Sequence, residues 1–184
     1  MADKSLKTPI TLSRPGSACP PYRYGSIKGL LEEYQKELSE KEFIDPCGIK
    51  VTFLVQNFPK LVQLEFKHGK AKAQKFLESI RLGNFKESDY TWDAWRASSL
   101  FWIADVIVNP DLIGHNCHNA IVGDRVYVKQ YSKHGPPYKI VFTWPDRESK
   151  LRVVTTSFFT KEVRLKRFLS DPPIWEKRKG HPEG

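Results

Sequence analysis

Apolar residues recur at helical spacing from residue 27 onward. Ser26 precedes them and provides a side-chain oxygen that can accept hydrogen bonds from the first free N–H groups of a helix. Residues 1–25, in contrast, contain several prolines and glycines without periodicity and predict an extended arm. The positions that define the buried face of the predicted helix are Ile27, Leu30, Leu31, Tyr34 and Leu38.

Two further elements complete an N-terminal layer over residues 26–90. Apolar and polar residues alternate between Ile49 and Val55, which predicts a short strand. A lysine-rich stretch then predicts a helix that ends at Gly83, where glycine can adopt a left-handed backbone. The apolar face of this helix comprises Ala73, Phe76, Leu77 and Ile80.

A longer apolar helix is predicted from Trp92 to Val108, because Trp95, Ser99 and Trp102 fall on one stripe. The sequence Asn109-Pro110-Asp111 ends it. Pro110 favours the first position of a brief further helical turn that carries Leu112 and Ile113.

Three segments rich in β-branched and aromatic residues follow, at Arg125–Tyr131, Tyr138–Trp144 and Leu151–Phe158. The short polar connections between them predict an antiparallel meander. Thr160 is expected to cap a last helix that runs to Leu169. The predicted fold class is α+β: N-terminal helices pack on a C-terminal antiparallel sheet, with one helix-and-sheet domain over 91–175 and a loose basic tail over 176–184.

Alternation of side chains across the predicted strands assigns a role to each face of the sheet. One set is apolar and is expected to pack on the tryptophan-bearing helix: Tyr138, Ile140, Phe142 and Trp144. The other set is polar and is expected to form an exposed basic face: Tyr127, Lys129, Tyr131, Lys139, Thr143, Arg152 and Thr156. A positive face with interleaved tyrosines is suited to holding phosphates and stacking bases, although a solvated sheet face is an equally ordinary explanation.

Composition adds charge to this picture. A formal charge of +9 favours polyanionic partners such as RNA. The three cysteines, Cys19, Cys47 and Cys117, cannot all pair within the chain, which favours a reducing cytoplasm. We expect no membrane association, because no apolar run approaches the length of a bilayer span and the first residues lack the apolar core of a signal peptide.

Histidines supply the candidate acid–base chemistry. His115 and His118 precede the first strand and His134 lies in the first hairpin, where an imidazole can exchange protons near neutral pH. Lysine or arginine can stabilise charge on a phosphorane-like transition state. A metal site at His115-Asn116-Cys117-His118 is disfavoured because no second ligand pair is evident. Neither a metal nor a cofactor is therefore expected.

The order of elements resembles the phage-associated toxin-type nucleases grouped with barnase, EndoU, colicin tRNases and RelE, known as the BECR fold. The resemblance covers the C-terminal half, from Trp95-Arg96 through Asp124–Tyr131 and Tyr138–Thr143 to Val153–Thr160. It implies metal-independent RNA cleavage through a 2′,3′-cyclic phosphate. The implied catalytic residues are His118, Lys129 and Thr156, with Arg152 and Ser157 as substitutes; this chain carries Phe158 near the place where many relatives have a tyrosine.

Substrate contacts are expected from a second set of residues, which share basic, aromatic or hydroxyl character: His115, Tyr127, Tyr131, His134, Lys139 and Thr143. The leading hypothesis is an endoribonuclease of phage or mobile-element origin that acts on RNA in a bacterial cytoplasm. One alternative is a non-catalytic RNA-binding module. Another is a protein-interaction domain whose aromatic residues contact an immunity or antitoxin protein.

Overall fold

The computed structural model describes residues 26–67, 73–116, 123–131, 138–146, 149, 151–169 and 172–177. The helices are α1 Ile27–Tyr34, α2 Phe58–Leu61, α3 Ala73–Arg81, α4 Ala94–Ser98, α5 Trp102–Val108 and α6 Glu162–Leu165. The strands are β1 Phe43–Ile44, β2 Lys50–Thr52, β3 Glu65–Phe66, β4 Tyr90–Thr91, β5 Leu112–His115, β6 Arg125–Gln130, β7 Tyr138–Pro145, β8 Arg152–Thr160 and β9 Trp175–Glu176.

Seven strands form the main sheet in the order β1-β2-β8-β7-β6-β5-β9. The antiparallel meander β6-β7-β8 at its centre is confirmed, as is the α+β class. The sheet as a whole is mixed, because β2 runs parallel to β8. The N-terminal layer therefore contributes strands directly to the sheet, and one hydrophobic cluster joins residues of both predicted segments. Glu176, at the start of the predicted tail, pairs with Leu112.

Local signals at the first helix are confirmed. The Ser26 side chain accepts a hydrogen bond from the backbone N–H of Gly29 at 3.0 Å, and the predicted apolar positions are buried. A π-helical turn, Gln35–Ser39, extends α1 and buries Leu38. The strand predicted over 49–55 is shorter than expected, since Val55 already belongs to a 3-10 turn.

The single helix predicted from Trp92 to Val108 is wrong, because the chain forms two helices, α4 and α5, with a break at 99–101. Asp93 caps α4 by accepting a hydrogen bond from the N–H of Arg96 at 3.0 Å. At the break, the Ser99 hydroxyl donates a hydrogen bond to the Arg96 carbonyl at 3.3 Å. The same hydroxyl accepts a hydrogen bond from the Lys139 amine at 2.9 Å. Serine hydroxyls that bond to the preceding turn bend helices, and the bond to the sheet fixes this bend.

The brief helical turn predicted after Pro110 is also wrong. Leu112 and Ile113 begin strand β5, which pairs with β6 in antiparallel register. Asp111 sets this pairing, because its N–H donates to the Val128 carbonyl at 2.8 Å and its carboxylate accepts from the N–H of Gln130 at 2.7 Å. Tertiary hydrogen bonds therefore override the local preference of the Asn-Pro-Asp sequence for a turn.

The last helix is shorter than predicted. α6 spans Glu162–Leu165, and Lys161 rather than Thr160 occupies its N-cap position. Thr160 ends β8 with its hydroxyl 3.4 Å from the carbonyl oxygen of Lys161, so it does not cap the helix. The chain then turns through 166–168, which brings Phe168 and Leu169 back onto the sheet.

Both faces of the meander are covered, which contradicts the prediction of one open face. Tyr127 and Val141 are cross-strand partners and belong to the main core together with Ile103, Val106 and Ile107 of α5. Ile140 and Phe142 face the other way and pack in a second cluster with Leu165 and Phe168. Ile140 and Phe142 are thus buried, as predicted. They pack against α6 and the residues after it, however, and not against the tryptophan-bearing helix.

A bulge in β8 reverses the alternation of its side chains. Phe142 pairs with Thr156 and the next residue, Thr143, pairs with Val154, so β8 contains one extra residue, Thr155, between these two pairs. The Thr155 hydroxyl donates to the Phe142 carbonyl at 3.1 Å. Arg152 and Val154 consequently share the face of Thr143, whereas Thr156 shares the opposite face with Phe142.

Candidate functional site

The polar face that the sequence predicts to be exposed is largely buried. Tyr127 and Thr143 are fully buried, Lys139 is 1% exposed and Thr156 is 6% exposed. The buried polar side chains on the same face as Tyr127 form hydrogen bonds. Tyr127 donates to Asp45 at 2.8 Å, and Arg152 donates to the Thr143 hydroxyl at 2.9 Å. Periodicity predicted correctly which residues share a face in β6 and β7, but not that α5 covers that face.

The implied catalytic residues that the structure describes do not all lie on one face of the sheet. Because of the bulge, Arg152 and Thr156 lie on opposite faces of the sheet. Arg152 forms an ion pair with Asp124, so its charge is already neutralised. The Ser157 hydroxyl is buried and donates to the Ile140 carbonyl at 2.9 Å. These contacts are typical of structural side chains.

Lys129 and Tyr131 converge on one carboxylate at the end of β6. Lys129 donates to Asp105 at 2.8 Å, and the Tyr131 hydroxyl donates to the other oxygen of Asp105 at 2.5 Å. Burial and the Asp105 contact raise the pKa of Tyr131, so its hydroxyl stays protonated. The Lys129 side chain is 15% exposed, and its charge is paired with that of Asp105.

Of the three candidate histidines, the structure describes only His115. His115 is exposed at the end of β5, opposite Arg125. His118 and His134 lie outside the described residues. The predicted histidine chemistry therefore stays a prediction.

A buried carboxylate that the sequence did not single out connects the N-terminal layer to the sheet. The Asp45 side chain is fully buried and accepts hydrogen bonds from Arg125 at 2.9 Å and Tyr127 at 2.8 Å. Its other oxygen accepts from the N–H groups of Cys47 and Ile49, both at 2.9 Å. Every acceptor position is used, so this network holds β1 and β2 against β6.

Lys139 is the most unusual ionisable group of the described chain. Its amine donates to the Ser99 hydroxyl at 2.9 Å and lies 4.6 Å from the ring centroid of Phe159. Burial, with a smaller contribution from the positive charge of Arg96, lowers the pKa of Lys139 to about 7, while Asp93 acts in the opposite direction. Strongly shifted pKa values are enriched at functional sites.

A pocket opens where β8 passes into α6. It has a volume of about 390 Å³ and is lined by Phe159, Thr160, Lys161 and Arg164. We call it the β8–α6 pocket. Lys161 and Arg164 are exposed, and within the described part of the chain neither forms an ion pair with a carboxylate. The pocket thus combines an aromatic wall with uncompensated positive charge.

Arg96 places a further cation against Phe158, which precedes Phe159 in β8 and points to the opposite face of the sheet. Its guanidinium carbon lies 5.9 Å from the ring centroid of Phe158, and Trp95 contacts Phe159 at 5.3 Å. The sequence analysis missed Arg96, Phe159, Lys161 and Arg164 as site residues. The available signal was the basic sequence Lys161–Arg167, which the analysis treated only as part of a helix.

Comparisons with protein-family models, curated proteins and solved structures found no match to this chain. Among the described residues, no group of three or more His, Cys, Asp or Glu side chains has a metal-binding arrangement. None of the described helices has the length and apolar character needed to cross a membrane. The function is therefore argued from the pocket and its charges.

Proposed function

We propose that this protein binds RNA at the β8–α6 pocket. The observation that carries the proposal is the pair of exposed cations, Lys161 and Arg164, beside the ring of Phe159; no described carboxylate forms an ion pair with either of them. Cationic side chains bind phosphates, and an aromatic ring adjacent to them provides a stacking surface for a base. The net charge of +9 supports the same partner, since a positive field attracts polyanions before contact.

Removal of both pocket cations tests the proposal. The double variant K161A/R164A is expected to bind RNA at least tenfold more weakly at moderate salt, and the slope of log affinity against log salt should fall by about two, one for each lost phosphate contact. Fluorescence anisotropy with labelled RNA over a salt series measures both quantities.

The matched control is K28A/K36A, which removes the same charge at exposed positions of α1 and the turn that follows it. The RNA affinity of this control variant should fall only slightly, because its net charge is reduced but its pocket is intact. Equal affinities for the pocket variant and the control variant would refute a binding site at the pocket.

A second candidate is metal-independent endoribonuclease activity, which the family resemblance implies. The observation in its favour is the directly opposed pair Lys129 and Lys139 on neighbouring strands, in which Lys139 has a pKa of about 7. An amine that titrates near neutrality can exchange a proton with a ribose hydroxyl, and the Lys129 amine can stabilise charge on the phosphate once it leaves its ion pair with Asp105. Lys139 is buried beside Phe159, so substrate would reach it only after movement of that ring.

Cleavage in the presence of EDTA tests this candidate. Purified protein and total RNA should yield fragments with 2′,3′-cyclic phosphate ends, and K129A or H118A should lose cleavage while keeping RNA affinity and folding. Retained cleavage in both variants would reject these residues as catalysts. RNA binding without any cleavage would leave the non-catalytic RNA-binding function.

A further inference from the structure

Phe159 is held in a fixed orientation by three neighbours. The Lys139 amine lies 4.6 Å from its ring centroid, and the rings of Trp95 and Trp102 contact it edge-on at 5.3 and 5.7 Å. The side chain is nevertheless only half-buried and lines the β8–α6 pocket. A rigid ring loses little conformational entropy when a ligand stacks on it.

The other pocket residues determine what such a ligand must carry. Lys161 and Arg164 are hydrogen-bond donors with positive charge, which fits phosphate oxygens. The Thr160 hydroxyl lies 3.4 Å from the carbonyl oxygen of Lys161. Among the described residues, those that line the pocket include no carboxylate or side-chain amide that would accept a hydrogen bond from the amino group of a particular base. Recognition would therefore depend on stacking and charge rather than on base identity.

We propose that the β8–α6 pocket holds one unpaired nucleotide, with its base on the ring of Phe159 and its phosphate between Lys161 and Arg164. A volume of about 390 Å³ lies within the range of small-ligand sites. This inference rests on the proposed RNA binding and specifies its substrate class. The ligand is single-stranded RNA, or an unpaired loop, with little sequence preference, because the bases of a duplex are stacked on each other and cannot enter a pocket.

The test compares ligands that separate charge from stacking. The probes are a short oligoadenylate, an abasic ribose-phosphate oligomer of equal length, a fully paired RNA duplex and inorganic polyphosphate. The variants are F159L, which removes the ring, and F159Y, which keeps it. F85L is the matched control, since Phe85 is also half-buried. Among the described residues, its ring contacts Phe76 and Tyr90, and it does not line the β8–α6 pocket.

Loss of one stacked base is expected to weaken oligoadenylate binding by about tenfold to a hundredfold in F159L. F159Y and F85L should bind as the wild type does, and polyphosphate affinity should be the same for all proteins. The wild type should prefer oligoadenylate to both the abasic oligomer and the duplex. Thermal unfolding of each variant identifies loss of affinity that comes from loss of the fold.

Equal oligoadenylate affinity in F159L and the wild type would overturn the inference while leaving RNA binding intact. If F159L does not fold, the affinities of the wild-type protein test the inference. Equal wild-type affinity for oligoadenylate and the abasic oligomer would overturn it. If the wild type binds no RNA probe at all, the proposed function itself fails, and this result differs from both of the others.

Discussion

Replacement of Asp45 by alanine is expected to lower the free energy of unfolding by about 3–5 kcal/mol. The carboxylate is fully buried, and its loss leaves the Arg125 guanidinium and the Tyr127 hydroxyl without their acceptor. Burial already raises the pKa of Tyr127, so this hydroxyl cannot relieve the defect by ionising. The N–H groups of Cys47 and Ile49 lose an acceptor as well.

Urea denaturation of D45A followed by tryptophan fluorescence measures the loss as a fall in the transition midpoint. E32A is the matched control, because Glu32 forms an exposed pair with Lys28 at 3.9 Å and such pairs contribute about 0–1 kcal/mol. A double-mutant cycle between D45A and R125M isolates the ion pair. A change for D45A as small as that for E32A would show that water replaces the lost carboxylate and that the network does not hold the layers together.

Local signals in the sequence predict the elements that depend on local interactions. The Ser26 cap and the apolar spacing of α1 are confirmed, because the cap is formed within one turn and the buried face follows from helical periodicity. The three central strands are likewise confirmed within one or two residues, since β-branched and aromatic side chains mark them along the chain.

Interactions between distant residues explain the errors. The helix break at 99–101 is fixed by the bond between Ser99 and Lys139, which are 40 residues apart. The extra residue in β8, Thr155, has no distinctive local sequence, yet it moves Thr156 to the face opposite Arg152. One inserted residue inverts every later position of a strand with a two-residue period. The prediction that Arg152 and Thr156 share one face, which was based on alternation, is therefore wrong.

The covered face could not be predicted either, for a different physical reason. Lysine and tyrosine have long apolar stems and can lie under a helix if their polar ends find partners. Lys139 does so through Ser99, and Tyr127 through Asp45. The β8–α6 pocket combines residues that are close in sequence, so its cations could have been identified from the basic segment that begins at Lys161.

Replacement of Lys139 by methionine is expected to stabilise the protein below neutral pH and to have a smaller effect in alkaline solution. The pKa of Lys139 falls from 10.5 to about 7 on folding, mainly because of burial. Between these two pH values the unfolded chain holds a proton that the folded protein lacks, so wild-type stability rises with pH across this window. Methionine carries no proton, and the advantage of K139M therefore shrinks as pH rises from 7 to 10.5.

The difference in unfolding free energy between K139M and the wild type is expected to change by on the order of 3 kcal/mol between pH 6 and pH 10. This figure allows for the cation–π contact of Lys139 with Phe159, which favours the charged amine. Urea denaturation of K139M and the wild type at a series of pH values measures it, and K36M controls for removal of an exposed charge. A difference that stays constant with pH would mean that Lys139 keeps its proton in the folded protein. In that case Lys139 could not accept a proton from a ribose hydroxyl near neutral pH, and of the two proposals only RNA binding would remain.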